Sequence, residues 1–216
     1  MAEIAVPIDD GGMPPRERLR LRRERRARIA ERLRRGAPVA AATLTWEALD
    51  GAPDWLGVSD EALLLWQRRV GAVFCAPALR RWIDARRVQA LRGAIGDPFY
   101  RALLRAGDPL QAAAMPAGLP DWPQGQGDGG PAGAIDPATV APLLRGCGAA
   151  VLVCTLPHGA LRHAVSQMLA PLAELMMPAP HALALAERAL QLGTVAPAAA
   201  LSVAGHAQSA TEGSAA

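Results

Sequence analysis

Apolar residues recur every three or four positions along most of this chain, which is the spacing of one face of an α-helix. The clearest example begins near residue 60 and places on one face Leu63, Trp66, Val70 and Phe74. Ser59 or Asp60 can cap the start of this helix, and Pro77 suits the first turn of the next one, which Gly93 ends. Asp97 followed by proline then opens a third helix. The pattern predicts a compact helical region over residues 43–115.

A second helical region is predicted over residues 135–201, where Asp136 and Pro137 form a cap and first-turn pair. The two regions are joined by residues 116–134, PAGLPDWPQGQGDGGPAGA, which are too rich in proline and glycine to hold a regular helix. Two terminal segments are predicted to be disordered, namely residues 1–15 and 202–216. The predicted architecture is therefore two helical regions, a Gly/Pro-rich linker and flexible termini.

Composition agrees with an all-α protein. The chain has 216 residues, of which 51% are hydrophobic and 20% are charged, a mixture typical of globular proteins. Aromatic residues reach only 4%, and strong helix formers fill most positions. The longest apolar run, GAAVLVCTL at residues 148–156, is about half of the ~20 residues that a membrane span needs. The start, MAEIAVPIDD, is acidic and too weakly apolar for a secretory signal, so we expect a cytoplasmic protein without a transmembrane segment.

Positive charge is concentrated in one segment. Residues 16–35 hold eleven arginines and three glutamates, a local charge of +8, whereas the remainder of the chain carries −5. The segment is predicted to form a helix over residues 16–36, because good helix formers fill it and Gly36 and Pro38 end it. Its arginines fit a solvated helix, a site for an acidic partner, or a site for nucleic acid or anionic lipid. No interleaved aromatic residue is present for base stacking, which argues against nucleic acid.

The helical region around residue 80 combines a predicted core with a predicted docking rim. Aromatic and aliphatic residues at helical spacing are mostly buried, which predicts a core of Trp66, Phe74, Leu79, Trp82, Ile83, Leu91 and Phe99. Arginines occur beside them in adjacent pairs, and adjacent residues point about 100° apart on a helix, so each pair puts at least one guanidinium at the edge of the apolar stripe. Such edges are natural rims for protein docking. The predicted partner-binding residues are Arg68, Arg69, Arg80, Arg81, Asp84, Arg86, Arg87 and Arg92.

Residues with catalytic or metal-binding chemistry are sparse. The three cysteines are an odd number in apolar surroundings, which is typical of reduced thiols. The spacing of Cys147, Cys154 and His158 is not that of a zinc site, which needs four ligands, usually in close pairs. Cys154 has the chemistry of a nucleophile with His158 or His163 as its base, but no oxyanion motif accompanies them. The sequence also lacks a Walker loop, a dinucleotide fingerprint and an esterase elbow. We therefore predict no enzyme, catalytic residue, metal, cofactor or small-molecule substrate.

The segment LGVSDEALLLWQRRVGAVFCAPALRRWIDARRVQALRGAIGDPFYRALL, residues 56–104, resembles the SctK/YscK family of accessory proteins of bacterial type III secretion systems. Members show LG before a helix, a helix containing tryptophan, LRR.ID, LR..IG and then an aromatic pair. The corresponding residues here are Leu56 and Gly57, Trp66, Leu79 to Arg81 with Ile83 and Asp84, Leu91 and Arg92 with Ile95 and Gly96, and Phe99 with Tyr100. The match covers about a quarter of the chain.

This resemblance implies a non-enzymatic helical adaptor of the sorting platform, located in the cytoplasm at the face of the inner membrane. Proteins of this family bridge the cytoplasmic domain of the inner-membrane ring and the pod protein of the SctQ type, and they associate peripherally with the membrane complex. In that setting the arginine rims are expected to meet acidic surfaces on these protein partners. The alternative expectation is a nucleic-acid-binding regulator that uses the arginine-rich helix.

Overall fold

The computed structural model describes residues 14–80, 84–106 and 137–208, with backbone alone for Pro15, Pro137 and residues 195–208. These ranges form ten α-helices and one 3₁₀ turn and contain no strand, so the all-α prediction is confirmed. In chain order the elements are α1 (Pro15–Gly36), α2 (Pro38–Ala41), α3 (Trp46–Asp50), the 3₁₀ turn (Asp54–Gly57), α4 (Asp60–Phe74), α5 (Ala76–Leu79), α6 (Ala85–Ile95), α7 (Asp97–Arg105), α8 (Pro137–Cys154), α9 (Ala160–Leu169) and α10 (Ala179–Gln208). None of the helices in these ranges combines the length and the apolar character that crossing a membrane requires.

The prediction of a single helix from Pro77 to Gly93 is wrong, because two separate helices, α5 and α6, occupy this stretch. Asp84 precedes α6, and its Oδ1 accepts the backbone N–H of Arg86 at 2.8 Å. This bond satisfies one of the amides that have no partner at the start of a helix. Gly93 lies inside α6, and the helix ends instead at Gly96, whose φ of 89° is a conformation that glycine adopts without a Cβ clash.

The centre of the fold is the crossing of α4 and α8, where two backbones touch. A Cβ atom on Gly71 would lie 2.0 Å from the carbonyl oxygen of Leu144, and one on Gly148 would lie 1.8 Å from the carbonyl oxygen of Gln67. Since residue 71 meets residue 144 and residue 67 meets residue 148, the two helices run antiparallel. Glycine at both positions allows this approach because it has no Cβ. The crossing brings the parts of the chain on either side of residues 107–136 into contact.

Both predicted helical regions contribute to one hydrophobic core. The largest completely buried side chains come from both of them and include Leu56, Val70, Leu91, Ile95, Phe99, Val140, Leu144, Val151, Leu152 and Val165. Of the residues expected in the core, those that the structure describes are all buried, namely Trp66, Phe74, Leu79, Leu91 and Phe99. Trp82 and Ile83 lie outside the described residues, as does the predicted linker over residues 116–134. The two regions therefore fold together as one body.

The terminal helices differ in how closely they follow the prediction. The helix expected over residues 16–36 corresponds to α1, which has proline at its first position, where the missing N–H costs nothing. At the other end, α10 continues past residue 202, where a disordered tail was predicted to begin, and reaches Gln208. Alanine and leucine dominate this stretch, and both are strong helix formers. Residues 1–13 and 209–216, which make up the rest of the predicted tails, lie outside the described residues.

Candidate docking surfaces

Arg69, one of the predicted docking residues, makes its contacts inside the fold. Its guanidinium lies over the ring of Phe99, 5.0 Å from the ring centroid, and its Nε donates to the carbonyl oxygen of Ile95 at 3.3 Å. Burial lowers the pKa of Arg69 from its ordinary value. A cation over an aromatic face contributes about 0.5–2 kcal/mol, more as the pair is desolvated. Arg69 therefore joins α4 to α7.

Arg80 also stabilises the chain itself. Its Nη2 donates to the carbonyl oxygens of Leu103, at 3.3 Å, and of Ala106. The last carbonyls of a helix have no partner within the helix, and a cation is favourable beside them, so Arg80 closes the end of α7. Arg68 is partly buried, and its Nε makes no hydrogen bond. Arg81 lies outside the described residues.

The remaining predicted residues lie along α6. Arg86 is exposed, and Arg87 pairs with the capping residue Asp84 at 3.7 Å. Arg92 pairs with Asp97 at 2.5 Å while 47% of its side chain stays exposed. The Arg92–Asp97 pair is a surface ion pair, which is worth little, about 0–1 kcal/mol, so the charge of Arg92 stays available for a partner at small cost. The side chain of Arg87, in contrast, is only 15% exposed. We call Arg86 and Arg92, with the depression described next, the α6 surface.

A shallow depression lies beside Arg92 on this helix. Its volume is about 580 Å³, and its lining consists of Ala85, Val88, Gln89, Arg92, Gly93 and Asp97. Gly93 leaves it open, because no atom lies within 4 Å of the place where a Cβ would stand. The α6 surface thus combines exposed arginines with a depression whose volume is sufficient for a side chain of a partner.

A second concave surface, which the sequence analysis missed, is a groove of about 250 Å³ beside α10. Residues 51–55 and the turn over residues 155–157 form two of its sides, and α10 forms the third with two leucines spaced seven residues apart. These are Leu183 and Leu190, with 47% and 37% of their surfaces exposed. That spacing is visible in the sequence, but exposure of the leucines follows only from the packing.

Trp66 lines this groove and is the one buried polar side chain there that lacks a partner among the described residues. The tryptophan is only 8% exposed, yet its indole N–H makes no hydrogen bond. A buried donor without an acceptor costs about 1–3 kcal/mol. The Trp66 groove is a candidate docking site for an apolar segment, because its lining is almost wholly apolar and includes the exposed Leu183 and Leu190.

Helix α1 is held to the body of the protein by arginines. Arg25 pairs with Asp54 at 3.0 Å and donates to the carbonyl oxygen of Ala52, while Arg26 pairs with both carboxylate oxygens of Asp50. Ion pairs in which arginine is bidentate to a carboxylate are the stronger kind. The sequence did not reveal these pairs, because the partners are 24–29 residues apart along the chain.

Nearly two turns further along, the same helix face packs closely against residues 56–60. Arg32 pairs with Asp60 at 2.8 Å and donates to the carbonyl oxygens of Leu56, at 2.6 Å, and of Val58. Its side chain is only 13% exposed. Beside it, Ile29 and Leu33 are completely buried. The C-terminal half of α1 is therefore part of the fold and not a solvated helix.

The N-terminal half of α1 differs, because most of its arginines make no ion pair within the described residues. Arg20 pairs with Glu24, whereas four others have no ion pair with any residue that the structure describes, namely Arg16, Arg18, Arg22 and Arg23, and the same holds for Arg28 in the other half. Two leucines in the same half are also exposed, Leu19 by 56% and Leu21 by 37%. This half of α1 is therefore a third surface, basic with isolated apolar residues.

All three thiols are buried. A hydrogen bond with Cys147 and burial raise the pKa of Cys75 well above its ordinary value, whereas the same hydrogen bond lowers the pKa of Cys147. Burial raises the pKa of Cys154, whose Sγ donates to the carbonyl oxygen of Leu175 at 3.3 Å. Because the thiolate is the nucleophile and the metal ligand, the environments of Cys75 and Cys154 disfavour both roles. His158 is exposed, and the described part of the chain holds no group of three or more His, Cys, Asp or Glu side chains suited to a metal ion.

No protein-family model, curated protein or solved structure matches this chain. The residues that resemble the SctK/YscK pattern can nevertheless be placed. Its described apolar members are buried, namely Leu56, Trp66, Leu79, Leu91, Ile95 and Phe99. Gly96, the glycine of the LR..IG element, holds the positive φ between α6 and α7. The pattern therefore coincides with residues that determine the local fold.

Proposed function

We propose that this chain is a non-enzymatic adaptor of a bacterial type III secretion system, which links the inner-membrane ring to the cytoplasmic sorting-platform pods and is needed for protein secretion. The observation that carries the proposal is the placement of the SctK/YscK-like residues. In the described parts of residues 56–104, on either side of residues 81–83, they supply buried side chains from the 3₁₀ turn to α7 and the glycine with positive φ between α6 and α7. Burial of these residues supports the proposal, because a pattern that marks a common fold should consist of residues that determine that fold.

An adaptor must hold two partners at the same time, and the structure offers surfaces for this. The α6 surface and the Trp66 groove share no residue, so one partner can occupy each. Their chemistry differs, because the first is rimmed by exposed arginines and the second is almost wholly apolar. Charged rims speed and orient association, whereas buried apolar contacts supply affinity. In this proposal the α6 surface meets an acidic surface of the ring domain or of the SctQ-type pod protein, and the chain sits peripherally on the membrane complex.

Secretion by the native bacterium tests this function. Deletion of the gene is expected to abolish export of type III substrates into the medium, and the wild-type chain is expected to restore it. Gly93→Trp places a large side chain in the depression of the α6 surface, so we expect at least a tenfold loss of secretion, and urea unfolding checks that the variant is as stable as the wild-type chain. Gly93→Ala leaves the depression open and should restore secretion fully. Normal secretion in the deletion strain would exclude the proposed function.

The Trp66 groove has its own matched pair. Leu183→Arg places a charge in the groove, at a side chain that is already 47% exposed. Leu104→Arg makes the same change on α7, at a leucine that is 45% exposed and lies outside the groove. We expect only the first variant to lose a partner and to reduce secretion. Equal behaviour of the two variants would remove the groove from the proposal.

The five unpaired arginines of α1 favour a second candidate function, a regulator that binds nucleic acid. Arginines that bind phosphates release counterions, so the affinity for a DNA or RNA duplex would fall steeply as salt increases. Fluorescence anisotropy with a labelled duplex measures this. Submicromolar affinity at physiological salt, in a strain whose secretion does not depend on the protein, would favour this alternative.

A further inference from the structure

We infer that the N-terminal half of α1 is a docking site for an acidic protein segment, which it holds by the same contacts that the C-terminal half makes with residues 50–60. The inference rests on the proposed adaptor function, since it names a further surface and the chemistry of the partner that fits it. Three observations carry it: a repeated mode of contact, a helix face that continues beyond the body, and the arrangement of apolar residues around that face.

The repeated mode of contact involves two arginines seven residues apart. Arg25 pairs with Asp54 and also donates to a backbone carbonyl in residues 50–60. Arg32 pairs with Asp60 and also donates to two carbonyls of the same segment. Both side chains are mostly covered, with 24% and 13% exposed. Each arginine therefore binds an aspartate and the adjoining backbone of an irregular segment.

The docked face continues toward the N terminus. Seven residues span nearly two turns, so Arg18 stands on the same side of α1 as Arg25, and Arg22 stands on the same side as Ile29. Neither Arg18 nor Arg22 has an ion pair with any residue in the described ranges. The helix thus presents Arg18, the next arginine of the series, without an ion-pair partner among the residues that the structure describes.

Apolar side chains flank this face on both sides. At 100° per residue, Leu19 and Leu21 each lie about 80° from the direction midway between Arg18 and Arg22. The two leucines are about 160° apart, so they do not form the continuous apolar face that a helix needs to lie in a lipid surface. A phosphate backbone offers nothing for them to contact. Two arginines flanked by leucines are complementary to a partner protein surface that has carboxylates at its centre and apolar side chains around them.

A matched pair of variants separates this surface from general attraction to anions. Arg16 and Arg23 are as free of ion pairs as Arg18 and Arg22, but they point about 130° away around the helix. Arg18→Glu/Arg22→Glu and Arg16→Glu/Arg23→Glu change the charge equally. A polyanion bound by charge alone would lose affinity for both variants, whereas an acidic segment bound to one face would lose affinity only for the first.

The experiment is photo-crosslinking of the full chain in its native cells. Benzoylphenylalanine replaces Leu19 or Leu21, and mass spectrometry identifies the molecule and the segment that each adduct contains. We expect adducts on a protein segment with at least two carboxylates within about five residues. Arg18→Glu/Arg22→Glu should reduce the adduct at least tenfold, and Arg16→Glu/Arg23→Glu should keep at least half of it. Replacing the mapped carboxylates with arginine should restore crosslinking to the first variant.

Adducts on nucleic acid or lipid, on a neutral or basic protein segment, or no adduct at all would overturn the inference, as would equal loss in both variants. Its failure can be told apart from failure of the adaptor function. An acidic segment of a protein outside the secretion system would support the inference and count against the proposed function. Adducts on nucleic acid would overturn the inference. If the chain still co-purifies with ring and pod proteins, the proposed adaptor function would nevertheless be supported.

Discussion

The contact between α4 and α8 leads to a specific prediction for Gly71→Ala. The new Cβ would lie 2.0 Å from the carbonyl oxygen of Leu144, about 1.4 Å closer than an ordinary van der Waals contact. The obstacle is the backbone of a buried helix and not the end of a flexible side chain, so the helices must move apart. Overpacking of a core costs about 1–3 kcal/mol, and we expect the upper end of that range here.

Helix propensity opposes part of this loss. Alanine is favoured over glycine inside a helix by about 1 kcal/mol, so the expected net loss for Gly71→Ala is about 2 kcal/mol of the free energy of unfolding. For a chain of this size that corresponds to a decrease in Tm of about 4–8 °C. Gly148→Ala should lose at least as much, because its Cβ would lie 1.8 Å from the carbonyl oxygen of Gln67.

Urea unfolding followed by far-UV circular dichroism measures these changes. Gly93→Ala is the matched control, since it makes the same substitution inside α6 where no atom lies within 4 Å of the new Cβ. That variant should gain about 0.5–1 kcal/mol from helix propensity and a stiffer unfolded chain. If Gly71→Ala is as stable as the wild-type chain, or if it gains stability as the control does, the two backbones are not in contact and the described crossing is wrong.

Three further predictions concern stability. Arg80→Met should lower the free energy of unfolding by about 1–3 kcal/mol, because it leaves part-buried carbonyls at the end of α7 without a donor. Arg86→Met, at an exposed site, is the control and should change the free energy of unfolding by less than about 0.5 kcal/mol in the same urea experiment. Arg32→Met should release α1 from residues 50–60 and speed limited proteolysis there at least severalfold, and unchanged cleavage would contradict the docking. Above pH 9.0, the ordinary pKa of a cysteine, stability should fall by up to about 1.4 kcal/mol per pH unit, because the Cys75 thiol stays protonated in the folded chain but ionises in the unfolded one. Because Cys147 shares a hydrogen bond with Cys75, the comparison uses Cys75→Ala/Cys147→Ala: urea unfolding above pH 9.0 should show a smaller slope in this double variant, and an identical slope would contradict the buried thiol.

Features that depend on local spacing were predicted well from the sequence. The helix that starts after Ser59 is present, and the Ser59 hydroxyl accepts the N–H of Ala62 at 3.2 Å, as a capping residue should. Gly36 and Pro38 predicted the C-terminal end of α1 correctly, and the arginine-rich segment predicted its start to within one residue. Local spacing misled only where two signals competed. Gly93 was interpreted as a helix end, but the capping aspartate at residue 84 and the positive φ at residue 96 set the actual ends of α6.

The functional surfaces were less accessible to sequence reasoning, because they depend on residues that are distant along the chain. The arginine pairs were predicted to form a rim, yet Arg69 and Arg80 bind groups 23–30 residues away and serve the fold. Their sequence neighbours do not distinguish them from Arg86, which is exposed. The Trp66 groove likewise exists only because α10 packs beside the 3₁₀ turn. Sequence spacing predicts on which face of its own helix an arginine lies, but it does not predict which other part of the chain packs against that face.

Affinity purification of the tagged full-length chain from its native cells, at two salt concentrations with mass spectrometry of the bound proteins, tests the adaptor function most directly. The proposed function predicts recovery of the inner-membrane ring protein and of the SctQ-type pod protein, with less of the partner bound at the α6 surface as salt increases. Gly93→Trp should lose that partner, and Gly93→Ala should keep it. Recovery of nucleic acid alone, lost at the higher salt, would contradict the adaptor function and favour a role for the arginines of α1 in binding phosphates.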